Sequence, residues 1–380
     1  MTLDDLNTLP SKLGEPEPVA PPLRPLTIWR PSQFLAWQEP ADNHFLLPAY
    51  LTRGELTTMI GQGGLGKSRL ALWLAICQIL GRKWCGVETS GPPQKWLFLG
   101  DENSIARLKQ DLERMFSVLT SEEIARVDEF LRLPALLDLD DCDVWLGDLT
   151  TQARVRLTIE QEAPGVVVAD PLANFAPGDI AKPGEMKEAI RTLLTIIRHA
   201  APRAANLLLH HARTGRQNIA QGVGWDAANF ASGGKALFSA ARCQLNLMPG
   251  SKDDDTRLVL SCAKANNCRR FDPLGLIFSP ENFTYELDPE FDAETWLANV
   301  EGRARSGQSL CTVADVVRAV RDGYTATKDL VAHLTEACAT SKSTIERLIH
   351  RAWDGGGIKP LTRGRWMLGS KAARYLEEAT

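Results

Sequence analysis

The chain has 380 residues, of which 44% are hydrophobic and 24% are charged, so it can bury one large core and a smaller one. No uninterrupted apolar run reaches the roughly 18 residues of a membrane-spanning helix, and the first residues resemble no signal region, which predicts a cytoplasmic protein without membrane contact. The formal net charge is −4, but residues 301–380 carry 13 Lys and Arg against nine Asp and Glu, so nucleic-acid contact is expected there.

The chain opens with a segment that predicts no fold of its own. Residues 1–26 contain six prolines among acidic and small residues, which indicates a disordered leader. We expect a nucleotide-binding domain over residues 27–288, a linker over 289–310 and a C-terminal domain over 311–380. The eight cysteines are scattered, with no C-x-x-C pair and no histidines at metal-binding spacing, so reduced structural thiols are expected.

A glycine-rich run follows the first predicted buried strand, residues 55–60. It fills every fixed position of the phosphate-binding pattern G-x-x-x-x-G-K-[ST], and an apolar helix begins at Ser68. Glycines let backbone N–H groups wrap a phosphate chain, and the helix N-terminus adds partial positive charge. The alternative is a chance match in a glycine-rich turn. We predict that ATP is bound by Gly61, Gln62, Gly63, Gly64, Leu65, Gly66, Lys67, Ser68 and Arg69, with Lys67 at the β- and γ-phosphates and Ser68 at Mg²⁺.

Short apolar runs alternate with helical patterns after this loop. Such alternation is typical of an α/β fold with a mostly parallel sheet, helices on both faces and nucleotide at the carboxyl ends of the strands. The predicted helices include residues 104–119 and 184–199, and the predicted strands are residues 95–99, 130–133, 165–169, 205–210, 244–248, 257–261 and 274–278.

Two adjacent carboxylates, Asp101 and Glu102, close the strand at residues 95–99. Phosphoryl transfer to water needs a base in line with the γ-phosphate, and either side chain could serve. We favour Glu102 because its side chain reaches further, whereas aspartate is the better turn residue. The alternative is that Asp101 and Asn103 merely cap the helix that follows.

The strand at residues 165–169 also ends in a carboxylate, that of Asp170. This position suits the acidic group that holds Mg²⁺ opposite Ser68. The alternative is a plain strand followed by an Asp-Pro turn.

A histidine pair, His210 and His211, closes the strand at residues 205–210. These side chains could sense the γ-phosphate or line the pore of a ring, and no third ligand at useful spacing supports a metal site. Residues 213–225 are rich in glycine and polar residues, which predicts a long, mobile, functional loop.

The order of these motifs resembles the RecA-type ATPases related to the plasmid replicative helicase RepA, which are AAA family ATPases of phages, plasmids and mobile elements. The resemblance covers roughly residues 27–288 and rests on residues 61–68, 100–104, 166–172, 210–211 and 232–242. It implies a RecA-like core and a homo-oligomeric ring, often hexameric, with ATP between neighbouring subunits and single-stranded DNA in the centre.

By the same analogy, Arg242 is the candidate arginine finger that reaches the γ-phosphate of the neighbouring subunit, and Lys264 is a second trans-acting cation. The segment before Arg242 departs from the pattern of the family, so Lys235 is an alternative source of the positive charge. A surface or strand-capping role is the other interpretation of Arg242.

The C-terminal domain has the pattern of a winged helix-turn-helix. Helices are predicted at residues 313–320, 328–337 and 341–351, the last capped by Ser341 or Ser343, and a hairpin joins residues 358–361 to 366–368. In DNA-binding versions the third helix enters the major groove of duplex DNA and the wing contacts phosphates. Docking to a protein is the alternative. The candidate DNA contacts are Lys342, Ser343, Thr344 and Arg347 on bases, and Lys359, Arg363 and Arg365 on the backbone.

The combined pattern predicts a Mg²⁺-dependent ATPase that acts on DNA, with helicase or helicase-like translocation as the leading hypothesis. One rival is a DNA-binding ATPase switch that loads or regulates other replication proteins without unwinding. A second rival is a ring-forming scaffold with slow ATP hydrolysis and a protein-binding tail.

Overall fold

A nine-stranded sheet organises most of the chain. The computed structural model describes residues 27–135, 144–180, 182–213, 222–223, 227, 229–232, 234–250, 254–297, 311–338, 342–362 and 364–377. The predicted leader, residues 1–26, therefore lies outside the described residues, as do most of the predicted loop at 213–225 and residues 298–310 of the predicted linker.

Helices and strands alternate along much of the described chain. In chain order they are α1 (Pro31–Ala36), β1 (His44–Leu46), β2 (Leu51–Thr52), β3 (Leu56–Gly61), α2 (Lys67–Leu80), β4 (Trp96–Leu99), α3 (Ile105–Phe116), α4 (Ser121–Phe130), β5 (Leu131–Arg132), α5 (Leu149–Glu162), β6 (Val166–Ala169), α6 (Leu172–Phe175), α7 (Pro183–Ala200), β7 (Ala205–His211), α8 (Gly234–Ala240), β8 (Cys243–Pro249), β9 (Arg257–Ala265), β10 (Leu274–Phe278), β11 (Tyr285–Leu287), α9 (Val313–Arg321), α10 (Thr327–Ala337), α11 (Lys342–Asp354), β12 (Ile358–Thr362), β13 (Arg365–Leu368) and α12 (Ala372–Glu377).

The chain divides into two units, residues 1–40 and residues 41–380. In the first unit, α1 begins at Pro31, whose ring presets a helical φ, and the backbone N–H of Arg30 donates to the side-chain Oε1 of Gln33 at 2.9 Å. The side chains of Ile28 and Leu35 in this unit are exposed.

The sheet of the second unit has the strand order β11-β10-β9-β8-β3-β7-β6-β4-β5. The five pairings from β8 to β5 are all parallel, which confirms the predicted α/β fold with a mostly parallel sheet. The pairings among β8, β9, β10 and β11 are antiparallel, which was not predicted. The connections at residues 250–256, 266–273 and 279–284 are shorter than the dozen or so residues that a crossover helix requires, so these strands return as hairpins.

Two hydrophobic clusters cover the faces of the sheet. Alternate residues of each central strand enter opposite clusters: Val166 and Val168 of β6 pack on one face, and Val167 and Ala169 on the other. Helix α2 belongs to the first cluster and is buried along most of its length, whereas α7 packs in the second. The parallel strands are therefore buried on both faces, which explains their nearly continuous apolar sequences.

Some predicted bounds need correction. The strand predicted at residues 130–133 comprises only Leu131 and Arg132, because Phe130 completes helix α4. The helix predicted at 104–119 is α3, and Ser104 caps it by accepting a hydrogen bond from the backbone N–H of Arg107. Neither Asp101 nor Asn103 is its N-cap, so the capping interpretation of that pair was wrong.

The C-terminal segment has a hydrophobic cluster of its own, formed by residues of α9, α10, α11, β12 and α12. Three helices are followed by the antiparallel hairpin β12–β13, in the predicted order. Trp366 of β13 fixes the hairpin to α10, because its indole Nε1 donates to the Thr327 hydroxyl at 2.9 Å. The assignment as a winged helix-turn-helix stays a prediction.

None of the helices within the described ranges has the length and apolarity needed to cross a bilayer. Seven of the eight cysteines lie in those ranges, and none of the seven forms a disulfide bond.

Candidate functional site

The glycine-rich loop lies between the carboxyl end of β3 and the start of α2. Gly66 adopts a left-handed conformation with φ +84° and is the N-cap of α2, which begins at Lys67. Any side chain at this position would meet the hydroxyl of Tyr285, so the loop requires glycine at this point. The helix thus begins directly at the loop, the geometry in which N-terminal N–H groups bind an anion.

Lys67 is buried beneath this loop, with 6% of its surface exposed. Its Nζ donates to the carbonyl oxygen of Gln62 at 2.9 Å and lies 3.4 Å from Nδ1 of His211. Burial lowers the pKa of Lys67, while the charges of Asp170 and Glu102 oppose that shift. The ammonium group therefore lies among acceptors and carboxylates at one edge of the sheet.

Asp170 ends β6 next to Ser68 and is 7% exposed. The two side chains share a hydrogen bond, and burial raises the pKa of Asp170 to about 6 against the opposing effects of Ser68 and Lys67. A hydroxyl and a carboxylate are the hard oxygen donors that suit Mg²⁺, which in nucleotide sites takes its remaining ligands from phosphates and water. The donor set at Ser68 and Asp170 therefore fits Mg²⁺.

The two acidic residues after β4 have different surroundings. Asp101 accepts a hydrogen bond from the side-chain amide of Asn174 in α6. Glu102 is exposed, and its charge influences the pKa of Lys67, Asp170 and His211, so its carboxylate lies near those groups. Asn174 was not among the predicted site residues, although it follows Asp170 by only four positions.

The two histidines at the end of β7 face opposite sides of the sheet, as adjacent strand residues must. His211 faces Lys67, and burial followed by the charge of Lys67 lowers its pKa. His210 is fully buried, and its Nε2–H donates to the carbonyl oxygen of Ser232 at 3.1 Å. Its Nδ1 has no hydrogen-bond partner within the described residues. The structure thus brings only His211 to the phosphate loop.

Arg242 and Lys264 lie at the opposite edge of the sheet from the phosphate loop of their own chain. Strand β8 runs parallel to β3, with Cys243 beside Thr57 and Leu247 beside Gly61, so Arg242 comes before the start of β8. Its backbone N–H donates to the Leu56 carbonyl at 2.8 Å. At a strand rise of about 3.3 Å per residue, that position is about 16 Å from Gly61.

The side chain of Arg242 is exposed, whereas that of Lys264 is held by helix α8. The Nζ of Lys264 donates to the Phe238 carbonyl at 2.7 Å and lies 5.0 Å from the centre of the Phe238 ring. Burial, and then the charge of Arg242, lower the pKa of Lys264. Lys235 is exposed near the start of α8, close in sequence to Ser232, whose N–H donates to the His211 carbonyl.

Arg69 is directed toward the protein interior. Its Nε donates to Asp111 of α3 at 3.0 Å, and its guanidinium lies 3.9 Å from the centre of the Phe283 ring. Tyr285 and Asp111 were not predicted as neighbours of the loop. Neither residue stands in a recognisable motif, because their proximity arises only when the hairpin β10–β11 and α3 pack beside α2.

The candidate DNA-binding residues are partly described. Lys342 and Arg347 are exposed on α11, and Lys342 lies 3.8 Å from Glu346. Lys359 and Arg365 are exposed on the hairpin. Ser343 and Thr344 belong to α11, but their side chains, the predicted cap Ser341 and the candidate Arg363 lie outside the described residues.

Comparison with known proteins identifies one domain. The family model of an AAA domain matches residues 20–217. No curated protein matches the chain. Among solved structures, a KaiC-like protein from the hyperthermophilic archaeon Pyrococcus horikoshii OT3 is similar at 12% sequence identity and a TM-score of 0.43, over 64% of this chain and 94% of that one.

The buried His210 should make stability depend on pH. Burial lowers its pKa from 6.5 to about 4, so below neutral pH the unfolded chain takes up a proton that the folded chain refuses. His210 therefore contributes a loss of stability as the pH falls through this window, of about 2 kcal/mol between about pH 7 and about pH 5. Asp170, whose pKa is raised, acts in the opposite direction in the same window, but it does so in the wild type and in the variant alike. Denaturant unfolding should therefore show stability falling by this amount more in the wild type than in His210→Gln, whose amide still donates to Ser232.

The exposed His199 of α7 supplies the matched control. His199→Gln should retain the pH dependence of the wild type. Equal pH dependence in the wild type and in His210→Gln would contradict the prediction.

Proposed function

This chain belongs to the AAA domain family, and on that premise we propose that it is a Mg²⁺-dependent ring ATPase that acts on DNA. Its RecA-like ATPase core carries the candidate machinery at one edge of the sheet. The observation that carries the proposal is the convergence there of Lys67, Ser68, Asp170 and Glu102, from the ends of two strands and the start of one helix.

The phosphate loop and Lys67 would bind the triphosphate. Backbone N–H groups at the start of α2 face an incoming phosphate, and the phosphate charge would stabilise the buried ammonium of Lys67. Ser68 and Asp170 would hold Mg²⁺, which when bound neutralises charge that develops on the phosphate oxygens. His211, 3.4 Å from Lys67, is placed to respond to the terminal phosphate, whereas His210 would act only through Ser232.

Glu102 is the proposed base for the attacking water. Its charge acts on Lys67 and Asp170, while Asp101 is occupied by Asn174. In this arrangement Glu102 would take a proton of the water as the water oxygen bonds to the γ-phosphorus and the bond from that phosphorus to the β,γ-bridging oxygen breaks, so that ADP leaves. Asp101 would instead fix the turn that presents Glu102.

A ring would give Arg242 and Lys264 a role in catalysis. Both lie toward the ends of their strands that are remote from the phosphate loop of their own chain, so a contact with a γ-phosphate would be with that of a neighbouring subunit. A guanidinium supplied in this way stabilises charge in the transition state. Lys235, which is also exposed, is the alternative source of that charge.

We propose that the protein translocates along DNA. The ring would surround single-stranded DNA, and the C-terminal segment would contact DNA as a winged helix through exposed cations of α11 and the hairpin. Lys342, Arg347, Lys359 and Arg365 are the described candidates, in a region of net positive charge. The specific activity that we propose is that of a helicase or translocase in the replication of a phage, plasmid or mobile element.

The first experiment measures ATP hydrolysis against protein concentration, with and without single-stranded DNA. Turnover should rise cooperatively with concentration, because each site needs a neighbouring subunit, and should rise again with DNA. Lys67→Ala should hydrolyse no ATP and serves as the blank. Turnover that is indifferent to DNA would contradict the motor and favour the scaffold, and DNA-stimulated turnover without strand separation would favour the switch or loader.

Substitution of the two acidic residues separates their roles. Glu102→Gln keeps the size of the side chain but removes the base, so ATP turnover should fall by about 100-fold or more while ATP binding persists. Asp101→Asn is the matched control and should retain most activity, because an amide oxygen still accepts from Asn174. A larger loss in Asp101→Asn than in Glu102→Gln would reverse the assignment.

Arg242→Ala should retain ATP binding and lose turnover. When it is mixed in equal amounts with Lys67→Ala, some interfaces regain an intact loop from one subunit and an intact Arg242 from the other. Random assembly then restores about a quarter of the wild-type turnover.

The control for the mixing experiment is Arg191→Ala, which removes an exposed arginine of α7. It should have wild-type activity alone. If the Arg242→Ala and Lys67→Ala mixture assembles but ATP turnover does not recover, Arg242 is excluded as the arginine finger. Lys235 would then be the candidate for that role.

A further inference from the structure

The hairpin β10–β11 contacts the phosphate loop through Tyr285. Tyr285 begins β11, the outermost strand of the sheet, and its hydroxyl donates to the carbonyl oxygen of Gly66 at 3.1 Å. The same carbonyl accepts the N–H of Leu70 at 2.8 Å, which is the first backbone hydrogen bond of α2. Gly66 is therefore held by two donors, one from its own helix and one from a residue 219 positions later.

Tyr285 is itself fixed in position. It is 3% exposed, its main-chain carbonyl accepts the indole N–H of Trp73 at 3.1 Å, and its ring lies 5.1 Å from that of Phe278. Burial raises the pKa of Tyr285 far above its ordinary value, so the phenol keeps the proton that it donates. The ring is thus held in place with its protonated hydroxyl at the Gly66 carbonyl.

The turn of the same hairpin, residues 279–284, also contacts the helices that follow the loop and the acidic strand end. The ring of Phe283 lies 3.9 Å from the guanidinium of Arg69 in α2 and 4.5 Å from that of Arg114 in α3. Arg114 donates to the carbonyl oxygen of Pro280. The hairpin therefore restrains both α2 and α3 at their contact with it.

Gly66 needs such restraint because glycine has no side chain to limit its backbone. With φ at +84° it occupies a region that glycine enters and leaves freely, so its conformation depends on tertiary contacts. The direction of the N–H groups that bind phosphate depends in turn on that conformation. A contact that fixes Gly66 before nucleotide arrives reduces the ordering that binding requires.

We propose that Tyr285 is a positioning residue for the phosphate loop: its hydroxyl holds Gly66 in the conformation that binds the triphosphate. This inference rests on the proposed nucleotide-binding function and deepens it, since it makes the hairpin β10–β11 one of the elements that determine the affinity for nucleotide. Tyr285 contacts the loop and not the reacting atoms, so it should affect nucleotide binding and leave the chemical step unchanged.

The test compares Tyr285→Phe with Tyr50→Phe in the full-length protein. Tyr50 is also buried, and its hydroxyl also donates to a backbone carbonyl, that of Arg269 at 2.9 Å, away from the phosphate loop. Each variant loses one hydroxyl and one hydrogen bond. Two sets of measurements are made: the Kd, KM and kcat for ATP, and amide hydrogen exchange of residues 62–70 in nucleotide-free protein.

Tyr285→Phe should raise the Kd and KM for ATP by about 2- to 10-fold with kcat unchanged, and should speed exchange of residues 62–70, while Tyr50→Phe changes neither. Unchanged affinity and exchange in Tyr285→Phe, or equal changes in both variants, would overturn the proposal. If the wild type bound no ATP, the proposed function would fail, and the exchange comparison would still decide whether Tyr285 holds the loop.

Discussion

The burial of a charged lysine at the start of the helix that follows the central strand is the constraint on which the rest of the structure depends. An ammonium group removed from water is costly unless acceptors and opposite charges surround it. Lys67 receives both: the carbonyl of Gln62 lies 2.9 Å away, and the charges of Asp170 and Glu102 favour its protonated form. The carboxylates come from β6 and from the turn after β4. The order of the strands beside β3 therefore brings together the charges that offset the cost of burying the ammonium group.

The two halves of the sheet make different contributions to the site. The parallel half brings the ends of β3, β7, β6 and β4 to one edge and so supplies the charged groups. The antiparallel half contributes no strand end to that cluster within the described residues, yet its last hairpin returns to the start of α2 through Tyr285 and Phe283. The C-terminal strands therefore both extend the sheet and restrain the loop that the N-terminal strands carry.

Much of the fold and part of the site could be predicted from the sequence. The loop between β3 and α2 has an unambiguous motif, and Asp170 ends an apolar strand of the expected length. The choice between Asp101 and Glu102 could not be settled, because it depends on Asn174 of a short helix that packs beside them. The opposite orientations of His210 and His211 follow from strand geometry and were predictable. The antiparallel hairpins and the contact of Tyr285 with Gly66 were not, since they depend on packing between distant segments. Helices α4 and α5 were missed although local signals were present, because Thr120 and Glu123 form a capping box at α4 and Asp148 caps α5.

The outer strands of the nine-stranded sheet are short. Strand β5 has two residues, one of them the charged Arg132, and β11 has three. A sheet of this size would ordinarily present two long rows of unpaired backbone groups to which another chain could add a strand. In this protein each border offers only a few such groups and a charged or bulky side chain beside them. Copies of the chain that meet at high local concentration are therefore steered away from edge-to-edge aggregation, and a productive association between them would rely on side-chain surfaces.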